Sequence, residues 1–155
     1  MLKYVDYDIV FQEIPDEVTL AINLSNCPNR CKGCHSPHLM RDIGEPLTEE
    51  VLAAMLERYG QQVTCVCFMG GDVAPSTVAH LAAFVRQQSQ GRVKTGWYSG
   101  RDQLASQCDL SCFDFVKIGA YREHLGGLDV KTTNQRLYKV TEGVHLTDIT
   151  PLMQN

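Results

Sequence analysis

Three cysteines fall within eight residues, Cys27-Pro-Asn-Arg-Cys31-Lys-Gly-Cys34, spaced C-x3-C-x2-C. An apolar run of strand type over 18–24 leads into them, and Pro28, Asn29, Lys32 and Gly33 break regular structure between them. Such a segment must be a loop, and a loop can aim three thiolates at one point. Thiolate sulfur is a soft donor suited to iron–sulfur chemistry or to zinc. A closed structural zinc site takes four protein ligands. Three leave one coordination position open. If zinc were bound instead, His35 or His38 would have to serve as the fourth ligand.

The rest of the chain sets a scaffold for that loop. Its 155 residues predict one domain, 1–155, with the cysteine loop at 26–38. A net charge of −4 without a Lys/Arg cluster argues against nucleic-acid binding. No apolar run approaches the length of a membrane span, so no membrane association is expected. The first residues do not resemble a signal peptide, and the expected location is the cytoplasm. Seven cysteines, an odd number, with three clustered, favour metal or redox chemistry over a disulfide framework.

Strands are predicted over 18–25, 63–68, 93–98, 113–118 and 136–140, with an edge strand in the acidic lead-in around Asp8-Ile9-Val10-Phe11. Helices are predicted from the N-cap Thr48 to Gly60, over 76–89, and over 101–107. Residues 121–134 read as a loop, and the tail carries no clear pattern. Alternation at βα spacing predicts a parallel sheet with helical crossovers, whose ligand sites lie beyond the C-terminal strand ends. The cysteine loop, Gly70-Gly71-Asp72, Ser99-Gly100 and Gly119 all fall there. The glycines allow close backbone approach to a ligand. Cys65 and Cys67 share one strand face and read as small core residues. Cys108 and Cys112 lack a third ligand nearby. His80, His124 and His145 read as surface or satisfied residues, and Trp97-Tyr98 as core plus rim.

The cysteine spacing after an early strand, with a glycine turn after the next strand, resembles the radical S-adenosylmethionine superfamily. The short length, Gly33-Cys34, Gly70-Gly71-Asp72 and the late Thr133-Asn134-Gln135 are most similar to the activating proteins of anaerobic (class III) ribonucleoside-triphosphate reductase. The likeness covers most of 18–136. Departures are Asn26 in place of glycine before the first cysteine, Val73 after the turn, and Ile118-Gly119-Ala120-Tyr121 at the strand end where Asp-Gly-Lys-Phe is frequent. No role of that Asp or Lys is carried over, and Lys117 points away from the face of Ile118.

The resemblance implies an oxidoreductase with an incomplete (β/α) barrel of about five or six mostly parallel strands. It implies a 4Fe-4S cluster on Cys27, Cys31 and Cys34, with S-adenosyl-L-methionine chelating the fourth iron. Gly70, Gly71, Asp72, Ser99 and Gly100 would contact that cofactor, Asp72 through the methionine ammonium group. Reductive cleavage would yield a 5'-deoxyadenosyl radical that generates the glycyl radical of the reductase large subunit. An external one-electron donor such as flavodoxin is implied as well. A barrel cut short would leave an opening that a large protein substrate could cover. The other readings are a small-molecule radical enzyme like the deazaguanine synthases, an activator of another glycyl-radical enzyme, and a non-enzymatic zinc-binding module.

Overall fold

The computed structural model describes residues 2–29, 37–104 and 109–154. Eight strands form one mixed sheet: β1 (Lys3–Val10), β2 (Thr19–Leu24), β3 (Glu45–Pro46), β4 (Cys65–Met69), β5 (Lys94–Tyr98), β6 (Phe115–Ile118), β7 (Arg136–Thr141) and β8 (His145–Asp148). Their order across the sheet is β3-β1-β2-β4-β5-β6-β7-β8. β2, β4, β5 and β6 pair parallel, while β1 pairs antiparallel with β2 and β3, and β7 with β6 and β8.

This corrects the incomplete (β/α) barrel of mostly parallel strands. Four of the seven pairings are antiparallel, and the described residues contain two α-helices, α1 (Glu49–Tyr59) and α2 (Pro75–Gln88). The reason lies in the connections. A parallel crossover needs a dozen or more residues and usually a helix. The segment from β1 to β2 holds only turns and bends, and the segment from β6 to β7 holds no helix. A tight turn with Glu142 (φ 55°) and Gly143 (φ 73°) joins β7 to β8. Each of these connections returns the chain antiparallel.

Other boundaries shift as well. The lead-in strand is longer than Asp8-Ile9-Val10-Phe11 and pairs on both sides, with the two-residue β3 outside it. Residues 101–104 are not helical, and 105–108 lie outside the described residues. The tail supplies β8 and a 3-10 turn, Thr150–Met153.

Both helices start and stop for readable reasons. The Thr48 hydroxyl accepts from Val51 N at 3.2 Å, Glu49 and Glu50 occupy the first turn, and Gly60 closes α1 through Leu56 O. Pro75 opens α2, where its missing N–H is harmless. Their buried faces (Leu52 and Met55; Val78, Leu81, Ala82 and Val85) pack on one side of the sheet against Leu20, Ile22, Val66, Phe68, Trp97 and Val116. The opposite side carries Cys65, Cys67, Phe115 and Leu137, packed with Ile14 and Leu128 from loops. β4 is buried on both faces, which is why it reads as an unbroken apolar run.

Candidate iron–sulfur centre

All four parallel strands end at the same edge of the sheet, and the candidate residues lie just beyond. β2 delivers Ser25, Asn26 and Cys27. Ser25 N donates to Lys3 O at 3.0 Å, Asn26 N to Arg41 O at 2.8 Å and Cys27 N to Leu39 O at 2.9 Å. The bonds to Arg41 and Leu39 zip the two ends of the cysteine loop together and fix where Cys27 enters it, while the bond to Lys3 ties the end of β2 to β1. Asn26 has φ 57°, a left-handed conformation open to glycine and asparagine. That accounts for asparagine at a position where the resembled family often has glycine.

Cys27 is a free thiol, partly exposed. Its sulfur accepts an N–H from Asn29 Nδ2 at 3.6 Å. The same Nδ2 donates to Asp72 Oδ2 at 2.6 Å. Asp72, in the turn after β4, is 2% exposed. Its Oδ2 also accepts from Gly100 N at 2.8 Å, and its Oδ1 accepts from Ser99 Oγ at 2.5 Å. One buried carboxylate thus ties together the loops after β2, β4 and β5. It uses three of the roughly four acceptor positions a carboxylate offers.

The turn that presents Asp72 depends on its glycines. Gly70 and Gly71 have φ 107° and 93°. A Cβ at Gly71 would lie 2.6 Å from Val78 Cγ2, and one at Gly100 would lie 2.6 Å from Asn29 Nδ2. Trp97 Nε1 donates to Gly70 O at 2.7 Å, so a buried strand residue locks the turn from below.

Sequence reasoning brought together Gly70, Gly71, Asp72, Ser99, Gly100 and Cys27, and the structure places them side by side. Cys31, Cys34, His35 and Cys108 lie outside the described residues. Three contributors were missed. Asn29 reads in the sequence only as a breaker of regular structure, although an amide between two cysteines is a signal for an N–H donor to sulfur. Trp97 reads in the sequence only as core packing. Lys117 does lie on the sheet face opposite Ile118, yet its Nζ reaches back to Ser99 O at 3.0 Å and Gly119 O at 2.9 Å. It fastens the ends of β5 and β6.

On the sheet face away from the helices, a cavity of about 500 Å³ adjoins these strand ends, lined in part by Met69, Tyr98, Lys117, Leu128, Gln135 and Met153. Asn134 Oδ1, just before β7, is buried without a hydrogen-bond partner among the described residues. Thr19 Oγ1, at the other edge, is the second such atom there. An uncrosslinked thiol with an amide donor suits a soft iron–sulfur centre, and an unsatisfied buried carbonyl at the same edge suits a polar ligand. Among the described residues no three His, Cys, Asp or Glu side chains gather into a metal site. His38 is exposed, on the 3-10 turn Pro37–Met40.

The other described cysteines, Cys65, Cys67 and Cys112, sit where the thiolate is disfavoured. Burial pushes the thiols of Cys65 and Cys67 well up, so both stay protonated. Burial, then the Asp109 carboxylate, raises Cys112. His80 meets Glu49 at 2.8 Å on the surface. No described helix is long and apolar enough to cross a membrane.

A family model for a 4Fe-4S single cluster domain matches residues 18–141. That interval runs from the residue before β2 to the last of β7, and leaves β1 and β8 outside. The curated proteins and the solved structures yielded no match. With the strand-end thiol, its amide donor and the glycine turn all inside the matched interval, the chain belongs to the 4Fe-4S single cluster domain family.

Proposed function

We propose that this chain is a radical S-adenosylmethionine activating enzyme that generates the glycyl radical of anaerobic ribonucleoside-triphosphate reductase. The observation that carries the reading is the buttressing of Cys27 by Asn29 and the buried Asp72 of the neighbouring glycine turn. Cys27, Cys31 and Cys34 would hold a 4Fe-4S cluster, which, with S-adenosyl-L-methionine bound, supplies one-electron cleavage of the sulfonium to a 5'-deoxyadenosyl radical. Gly70 and Gly71 supply the left-handed backbone that presents Asp72 at this edge. Asp72 retains about one acceptor position for an ammonium group. Ser99 and Gly100 hold that carboxylate in place.

The cavity beside Met69 and Tyr98 is of the size of small-molecule sites. Loops and the tail flank it rather than helices, and a protein substrate laid across them would exclude water from a radical. The reductase large subunit is the proposed partner, with a flavodoxin-type one-electron donor, in the cytoplasm.

Anaerobic reconstitution with iron and sulfide, followed by electron paramagnetic resonance with S-adenosyl-L-methionine and the reductase, tests this. The expected result is a glycyl doublet on the reductase. Absence of that doublet with a competent reductase overturns the activation. Turnover of a small substrate without any protein partner would support the same chemistry on a small molecule, and stoichiometric zinc without iron would support a non-enzymatic module.

A further inference from the structure

We propose that Asn29 is a positioning residue for the iron–sulfur centre, its side-chain amide holding the Cys27 sulfur and setting how readily the centre accepts an electron. The inference rests on Cys27 as a cluster ligand, and not on S-adenosyl-L-methionine or a partner.

A side-chain amide has two N–H donors. In Asn29 one goes to Asp72 Oδ2 at 2.6 Å and the other to Cys27 Sγ at 3.6 Å, a normal reach for sulfur. Both acceptors are anionic once the thiol binds iron, so both contacts are charge-assisted. Asp72 cannot follow Asn29 if it moves, because Ser99 Oγ and Gly100 N hold the carboxylate from the β5 side. Nor can another side chain share the space, since a Cβ at Gly100 would fall 2.6 Å from the amide nitrogen. Three strand ends are therefore spent on fixing one amide against one sulfur.

Hydrogen bonds to cluster sulfurs are among the levers that set reduction potential. An N–H pointed at a ligating thiolate draws charge from it and favours the state with one more electron. Asn29 thus acts through Cys27, and Asp72 acts through Asn29 by fixing the direction in which the amide points. A carboxylate aimed at the thiolate directly would have the opposite sign.

The full chain, reconstituted anaerobically, is titrated with dithionite and redox mediators under electron paramagnetic resonance, with no S-adenosyl-L-methionine or reductase present. Asn29→Ala is expected to retain iron and to shift the reduction equilibrium about tenfold toward the oxidised state, a midpoint about 59 mV more negative for a one-electron couple. Gly100→Ala leaves Asn29 in the chain but displaces its amide, and is expected to shift the midpoint in the same direction. Asn29→Asp replaces the donor by an acceptor and is expected to shift it further or to release iron. Loss of iron from an Asn29→Ala protein whose circular dichroism is unchanged also supports the holding role. Should Asn29→Ala fail to fold, Gly100→Ala decides alone. Wild-type midpoint and g values in Gly100→Ala, or in a folded Asn29→Ala, overturn the inference. The titration contains no cofactor to cleave, so it fails or succeeds separately from the activation assay.

Discussion

The two ends of the four parallel strands are built differently. At the N-terminal end, polar groups close the sheet close to solvent. Val18 N donates to Thr64 Oγ1 at 2.9 Å, Lys94 pairs with Glu17 at 2.9 Å, and Arg86 pairs with Asp114 at 3.1 Å. At the C-terminal end, Ser25, Asp72, Ser99 and Lys117 are buried, joined by Gln135 from the antiparallel β7 side. A buried polar group is costly unless it is bonded, and each of these five is. The N-terminal end buries only the neutral hydroxyls of Thr19 and Thr95 and leaves Lys94, Arg86 and Asp114 partly exposed. The excess of satisfied, buried polarity marks the C-terminal end as the working edge.

The largest effect expected is at Cys27. Cys27→Ala removes a proposed ligand while leaving the backbone bonds of Cys27 and Asn26 in place. Anaerobically purified protein should lose nearly all of its iron and its visible absorption, with far-ultraviolet circular dichroism unchanged. Full iron content in this variant would mean that the polar edge serves something other than a cluster. Asp72→Ala comes next. It leaves Asn29 Nδ2, Ser99 Oγ and Gly100 N without their acceptor in a buried site. Anaerobic urea denaturation should show a loss of roughly 2–4 kcal/mol, and iron occupancy should fall with it.

Much of this edge was legible in the sequence, and the reason is local. Strand β4 is buried on both faces and ends in two glycines that must take left-handed φ, so 63–72 announces a strand and a turn together. Thr48 and Gly60 bracket α1 with chemistry that acts within one turn. The fold class was not legible for the opposite reason. Whether a neighbouring strand runs parallel or antiparallel depends on the connection, and the lead-in, the 121–134 loop and the tail carry no periodicity that reports it. Lys117 and Asn29 were hidden in another way. Their partners, Ser99 O and Asp72, lie 18 and 43 residues away in sequence. Only the parallel pairing of β5 with β6 and of β2 with β4 brings them together.

Glycine substitutions sharpen the contrast within a single residue type. Gly71 at the working edge has φ 93°, and a Cβ there would meet Val78 Cγ2 at 2.6 Å and Leu24 Cδ1 at 3.0 Å. Gly91, in the turn before β5 at the other end, has φ 80° with nothing within 4 Å of its Cβ position. Gly71→Ala carries both backbone strain and overpacking and should destabilise by roughly 2–4 kcal/mol. Gly91→Ala carries the backbone term alone, about 1–2 kcal/mol. Equal losses in thermal or urea unfolding would show that conformation, and not the crowding of the site, governs both.

The smallest effect is expected at Thr64, where the N-terminal end closes. Its hydroxyl accepts from Val18 N and donates to Val18 O at 3.3 Å, but the residue is exposed. Thr64→Val keeps the β-branched shape, and the backbone bond from Thr64 N to Val18 O at 2.8 Å does not involve the side chain. Water can take over both lost contacts, so the expected loss is about 0.5–1 kcal/mol with iron content unchanged. Asp72 and Thr64 each join segments 43 or more residues apart through a side-chain oxygen. They differ in whether solvent can replace that oxygen. A Thr64→Val loss as large as that of Asp72→Ala would show that burial does not separate the two ends, and the C-terminal edge would lose its claim to be the more specialised.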